Sequence, residues 1–252
     1  MSNVLRVSSA ISVFLIALVA GLFNARPASA DTTITYDLKN DWGTTNPNGP
    51  WSFRQGTTLL PYQSACDAYV YNCPNTDPYL PIWARVPASS GSNEPYWEPG
   101  DIWTHSVDGY NGDPSLGESI LTWTAPAAGT IDISGDIWYL HGTCCLDRSN
   151  DFFLSLDGSL LTSGTISGSG PYFRPDPLSF SFTGDLVNAG DTITLVVRRS
   201  PNEDSNAGSE DGVNLTITET SAPSQTPEPS NLLLLGTGLL GLMGAARRKW
   251  RG

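Results

Sequence analysis

The chain has 252 residues, 13 Lys and Arg against 25 Asp and Glu, and a formal net charge of −12. That balance argues against nucleic-acid binding, which rests on clustered cations, and 39 % hydrophobic with 10 % aromatic residues excludes wholesale disorder. Abundant Gly (25) and Pro (19), with only 15 % charged residues, disfavours helical bundles and points to a turn-rich β protein.

Residues 1–30 carry a signal-peptide pattern: Arg6 supplies the positive start, an apolar stretch runs from about Ile11 to Phe23, and Ala28-Ser29-Ala30 forms the small-residue cleavage site. Cleavage before Asp31 is expected, so the chain is exported. Residues 31–220 then read as one all-β domain, an antiparallel β-sandwich of the jelly-roll type. Its first strand candidate is Ile34–Asp37. Asp41 to Gly117 reads as loop-rich and holds Trp51, Trp83, Trp97 and Trp103 beside Tyr62, Tyr96 and Tyr110. Strands follow at Leu121–Thr124 and through Ile131, Ile133 and Ile137, which share one face with Asp132, Ser134 and Asp136 opposite. Phe152–Leu156 and Ser159-Leu160-Leu161 flank Asp157-Gly158, the strongest hairpin signal in the chain. Leu178–Phe182 comes next. Ile193, Leu195 and Val197, and then Val213, Leu215 and Ile217, repeat the two-residue period, with turns at Ala127-Ala128-Gly129 and Asn188-Ala189-Gly190-Asp191.

The loop-rich part offers the chemistry. Aromatic faces stack on the C–H side of a sugar ring while carboxylates and amides meet its hydroxyls. Trp97-Glu98-Pro99-Gly100-Asp101-Ile102-Trp103-Thr104-His105 brings two indoles, two acids and an imidazole together. The candidate glycan-binding residues are therefore Trp97, Glu98, Asp101, Trp103 and His105, joined by Trp83 and Tyr110. Large aromatics also fill sandwich cores, a role expected first of Trp123 and Trp138. No catalytic residue is assigned: the chain has only two histidines, His105 and His141, and no G-x-S-x-G elbow. Glu98 and Asp101 are the pair a glycoside hydrolase or lyase would use.

Four cysteines, Cys66, Cys73, Cys144 and Cys145, point to disulfides in an exported chain, with three pairings open. A metal site on His141 with Cys144 and Cys145 fits less well, because zinc thiolates are usually separated by two residues or more. No cofactor is required, but structural calcium is a candidate: Asp204, Asn206 and Asp211 set oxygens in a loop as a hard cation needs, and Asp147, Asn150 and Asp151 form a second set.

Residues 221–231 form a Pro/Ser-rich linker containing Pro227-Glu228-Pro229, and residues 232–252 an apolar stretch ending in Arg247-Arg248-Lys249-Trp250-Arg251. The apolar run is read as a membrane helix with its basic end cytoplasmic. These three elements, in this order, resemble the PEP-CTERM sorting signal of Gram-negative bacteria. The resemblance implies export, transient anchoring in the inner membrane, processing near Pro227-Glu228-Pro229 by an exosortase, and a destination at the cell surface or in an extracellular biofilm matrix. The block from Trp123 through Asp157-Gly158 to Ile193 is similar to secreted carbohydrate-binding jelly-roll modules, which implies a polysaccharide partner and no enzymatic activity. The alternatives are a structural matrix protein without a small ligand, or an enzyme acting on the cell's own polysaccharide. Arg6 and Arg26 leave with the leader, and Glu228 leaves with four cations in the tail. The part that meets the outside, residues 31–226, thus carries a formal −17.

Overall fold

β-Branched and aromatic residues alternate with Ser, Thr and Asp along most of the mature chain, and a pleated strand turns that alternation into one apolar and one polar face. The computed structural model describes residues 31–43, 45–60, 81–106, 117–201 and 208–221. The segment read as a signal peptide, the tail, Tyr110, Cys66, Cys73, Asp204 and Asn206 lie outside them. Among the described residues twelve strands run in chain order: β1 Thr32–Asp37, β2 Trp51–Gln55, β3 Thr58–Leu59, β4 Ile82–Arg85, β5 Ile102–His105, β6 Ser119–Thr124, β7 Gly129–Tyr139, β8 Ser149–Leu156, β9 Ser159–Ser167, β10 Leu178–Val187, β11 Thr192–Arg199 and β12 Glu210–Ser221.

They form two six-stranded antiparallel sheets. The first has the order β10-β7-β12-β5-β4, with β1 also paired to β12; the second runs β3-β2-β6-β11-β8-β9. From β6 onward the chain crosses repeatedly between the sheets, the wiring of a β-sandwich. β12 lies inside its sheet. It pairs with β7 from Asp211↔Tyr139 to Ser221↔Gly129. On its other side it meets β5 over Glu210–Gly212 and β1 from Thr216↔Asp37 to Ser221↔Thr32.

The interior follows the two-residue period. Ile131, Ile133 and Ile137 of β7, Val213, Leu215 and Ile217 of β12, and Ile193, Leu195 and Val197 of β11 are all buried in one cluster with Trp51, Trp83 and Trp123. At 25–30 cal/mol per Å², each of these side chains contributes about 1.5–3 kcal/mol by leaving water. The hairpin between β8 and β9 turns on Asp157 (φ 45°) and Gly158 (φ 80°), the paired positive φ of a type I′ turn.

The stretch read as loop-rich contains β2, β4 and β5. The physical reason lies in what covers β4 and β5. Ile82, Ala84 and Val86 with Trp103 and Leu140 form a second hydrophobic cluster on the outer face of the first sheet, roofed in part by Trp97. Both four-residue strands are therefore buried on both faces over their first three residues and show no alternation. Between the indoles of Trp103 and Trp138 lies Gly212 of β12, directly opposite both in register. A Cβ there would stand 2.1 Å from Cε2 of Trp138. Only glycine lets the second cluster close over the sheet.

Candidate functional site

The segment between β4 and β5 folds back on itself. Its neck is closed by the Val86 amide donating to the Asp101 carbonyl and the Gly100 amide donating to the Val86 carbonyl, both at 2.8 Å, and its tip by an isolated bridge between Asn93 and Trp97. Gly100 adopts φ 90°, a conformation that side-chain-bearing residues resist. The next residue, Asp101, is 1 % exposed.

Asp101 is the hub of the local charge network. Its Oδ1 accepts from Lys39 Nζ at 3.1 Å, and its Oδ2 accepts from Arg174 Nε at 2.7 Å and from the Glu98 amide at 2.9 Å. Arg174 carries on to Glu98 Oε2 at 2.7 Å and Glu94 Oε1 at 3.7 Å. Burial alone would pull the guanidinium pKa down, but the bond to Asp101 and the charges of Asp101, Glu98 and Glu94 raise it. Both Asp101 oxygens are thus committed to cations, an arrangement that fixes the loop.

A second loop, between β9 and β10, interlocks with the first. The Arg174 amide donates to the Pro95 carbonyl and the Tyr139 amide to the Tyr172 carbonyl, each at 3.0 Å. Tyr96 stands edge-on to Phe173 at 5.8 Å and to Tyr139 at 6.3 Å, and it tilts against Trp97 at 6.3 Å. Trp138 Nε1 donates to the Tyr96 carbonyl at 2.8 Å. The result is an interlocked pair of loops on which Trp97, Tyr172 and Phe173 are half-buried and packed against the core, a shelf of aromatic residues. Its carboxylate rim is accessible, with the Glu94 and Glu98 side chains 50 % and 42 % exposed.

The sequence-derived candidates divide cleanly. Trp97, Glu98 and Asp101 come together on this shelf. Trp83 does not: it is fully buried on β4 in the main core, 5.5 Å from Phe53. Trp103 is fully buried on β5 in the second cluster. Neither offers a ring to a ligand, because β4 and β5 are covered on both faces. His105, at the end of β5, is not one of the shelf residues; it stands 6.0 Å from His141, which stacks at 6.4 Å on Tyr139 beneath the shelf. Tyr172, Phe173 and Arg174 were not among the candidates, although Pro171-Tyr172-Phe173-Arg174-Pro175 carries the same mixture of rings, charge and turn residues.

At the His105 end of the sandwich a buried polar group closes the interior. Burial pushes the His105 pKa down to about 3, helped by His141 and Arg148. Burial likewise lowers His141 to about 4, with Arg148 adding to the shift and Asp147 opposing it. Glu210 Oε1 is 4.0 Å from His141 Nε2, too far for a hydrogen bond strong enough to reverse that shift.

The two calcium sets fare differently. Asp211 is fully buried, facing inward from β12, where its Oδ2 accepts from Asn150 Nδ2 at 2.8 Å. Desolvation raises its pKa well above the usual carboxylate value; the Asn150 bond opposes that rise and Glu210 adds to it. In the second set the residues do not converge. Asn150 points into the core, while Asp151, one position on in β8, accepts instead from Thr165 at 2.7 Å and Ser200 at 2.8 Å. Adjacent strand residues face opposite ways, which a spacing in sequence ignores. Among the described residues no group of three or more His, Cys, Asp or Glu is gathered as a metal would need. Cys144 and Cys145 lie in a short 3-10 turn, Thr143–Cys145, whose last carbonyl accepts from the Tyr139 hydroxyl at 2.6 Å.

Solved structures similar to this chain include carbohydrate-binding modules, an adhesin domain and parts of mannanases. The CBM22-1 xylan-binding domain from Paenibacillus barcinonensis Xyn10C aligns at 9 % identity and TM-score 0.36, over 79 % of this chain and 100 % of that one. A xylan-binding module, CBM15, aligns at 9 % and 0.31, over 75 % and 97 %. The K3 adhesin domain of Lys-gingipain from Porphyromonas gingivalis aligns at 10 % and 0.36, over 75 % and 99 %. At these values no residue role is carried across. A comparison with curated protein sequences finds no match. Residues 225–249 match the PEP-CTERM protein-sorting motif. That motif implies export through a sorting system with transient membrane anchoring by the tail.

Proposed function

We propose that this is an exported glycan-binding protein of the cell surface or extracellular matrix, sorted by an exosortase, whose contact surface is the shelf of Trp97, Tyr172 and Phe173. One observation carries the reading: three half-buried aromatic residues stand on two loops locked together by Arg174 and Asp101, with the accessible carboxylates of Glu94 and Glu98 at their rim. Rings held rigid before binding lose little entropy when a sugar stacks on them, and carboxylates beside them accept from its hydroxyls. The acidic domain and the anionic rim favour neutral, hydroxyl-rich polysaccharide over polyanions.

The test is a broad glycan array with the full chain, followed by titration of the best polysaccharide while tryptophan fluorescence is read. Trp97→Ala and Tyr172→Ala should each weaken binding by tenfold or more, and Trp97→Ala should also remove most of the fluorescence response. An array blank throughout, or unchanged affinity in both variants, would refute this surface as the site.

A further inference from the structure

Every open sheet ends in strands whose outer amides and carbonyls lack a ladder partner, and folded proteins blunt such edges with short strands, charges, prolines or bulges. Among the described strands the protection is uneven. β1 has six residues and ends on Asp37, β3 has two residues and β4 has four. β10 carries Asp185 and a register shift between Phe182 and Asp185. β9, the terminal strand of the second sheet, has none of this over most of its length. It runs for nine residues, Ser159–Ser167, as Ser-Leu-Leu-Thr-Ser-Gly-Thr-Ile-Ser, without a charge or a proline. Its single irregularity falls early, opposite Leu154 and Ser155, so Thr162–Ser167 pairs in regular register with β8 and presents a straight outer edge. Ile166 anchors the strand in the core, while Leu160 is 60 % exposed.

What could pair with it is limited by two facts. A row of backbone donors and acceptors is met by another extended chain. Residues 31–226, at a formal −17, repel their own copies least where they approach through an uncharged stretch, and β9 is the longest uncharged edge among the described strands. Antiparallel pairing of an edge with itself needs only a two-fold axis, the commonest symmetry of homo-oligomers. We propose that β9 is a self-association edge: two copies join Thr162–Ser167 to Thr162–Ser167 antiparallel about the Gly164–Thr165 bond, making one sheet continuous through both molecules. The interface is small, so its strength depends on high local concentration, which confinement to a membrane or a matrix provides. Screening of the repulsion makes the pairing stronger in added salt.

The experiment uses the full chain in the cells that export it. A photo-cross-linking amino acid is placed at Leu160 on β9 or, as control, at exposed Thr183 on β10. Irradiation should give a covalent dimer from the β9 position, mapped by mass spectrometry to residues 159–167 of the second copy, and far less from β10. Ser163→Lys puts an ammonium group from each copy beside the axis and should cut the β9 cross-link at least tenfold. A circular-dichroism spectrum matching the parent will show that Ser163→Lys is folded. A cross-link mapping to another segment, equal yield from β10, no dimer from β9, or a folded Ser163→Lys chain that cross-links like the parent would each overturn the proposal.

Discussion

Two buried imidazoles make the stability of this domain a function of pH in a window where ordinary carboxylates are silent. Burial holds His105 at about 3 and His141 at about 4, against 6.5 for a solvated histidine. In the fold both are neutral throughout the mildly acidic range, while in the unfolded chain both take up protons as pH drops below 6.5. The unfolded state then binds more protons than the folded one, so stability is fully present above pH 6.5 and is lost as pH falls toward the folded values. One proton costs about 1.4 kcal/mol per pH unit. Between neutrality and about pH 5 each histidine therefore withdraws about 2 kcal/mol, and the pair about 4 kcal/mol, a large share of the 5–15 kcal/mol that holds a typical domain together. The assay is urea unfolding of the parent and of His141→Gln at a series of pH values from about 7.5 to 5. Subtracting the two curves cancels every group the chains share. Whatever the cost of the substitution at pH 7.5, the gap should move by about 2 kcal/mol in favour of the variant by pH 5. A gap that stays constant would mean that His141 titrates in the fold as it does in water, and the reasoning from burial would be wrong.

Gly212→Ala should be among the most damaging single-methyl changes in the protein. The new Cβ meets the buried indole of Trp138 at 2.1 Å, and overpacking together with loss of the Trp138–Tyr96 bond costs about 3 kcal/mol, read as a fall in the unfolding midpoint. Asp101→Asn removes the charge that holds Arg174 and Lys39 over a buried position and should destabilise by about 3 kcal/mol. It should also loosen the shelf, seen as faster amide exchange in residues 93–98 and 172–176. Asp211→Asn should act in the opposite direction. The carboxyl keeps its proton in the fold at pH values where the unfolded chain has released it, so the parent loses stability as pH rises through that range and Asn does not. A gain in stability at pH 7 is expected from denaturant unfolding; a loss there would refute the reasoning from burial.

The sandwich was legible wherever one face of a strand meets the core and the other meets water. Ile131, Ile133 and Ile137 announce β7 because Asp132, Ser134 and Asp136 stand between them, and Asp157-Gly158 announces its hairpin because few residue pairs tolerate two positive φ values. β4 and β5 gave no such sign. Their outer face is roofed by the loop that follows β4, so Ile82-Trp83-Ala84 and Ile102-Trp103-Thr104 read as short apolar runs without a period. The same roof explains the division among the candidate aromatics. Tryptophans gathered within a stretch of sequence look alike as sugar platforms, but two of them are needed to fill the space on either side of a covered sheet, and only Trp97, on the roof itself, keeps an open side. Arg174 and the rings beside it were invisible as partners of Asp101 because 73 positions separate the two. The pairing exists only through the docking of one loop on another.

The register of β12 has a mechanical consequence. The tail leaves the sandwich at Ser221, the last residue of the longest strand, which is laddered to β7 along almost its whole length and to β1 and β5 on its other side. A pull on the tail along the strand axis, as from flow or from a growing matrix, loads those ladders in shear rather than peeling them one bond at a time. Thr32, the first residue of β1, sits directly across from that point, so the first strand of the sandwich is stitched to the strand that bears the load.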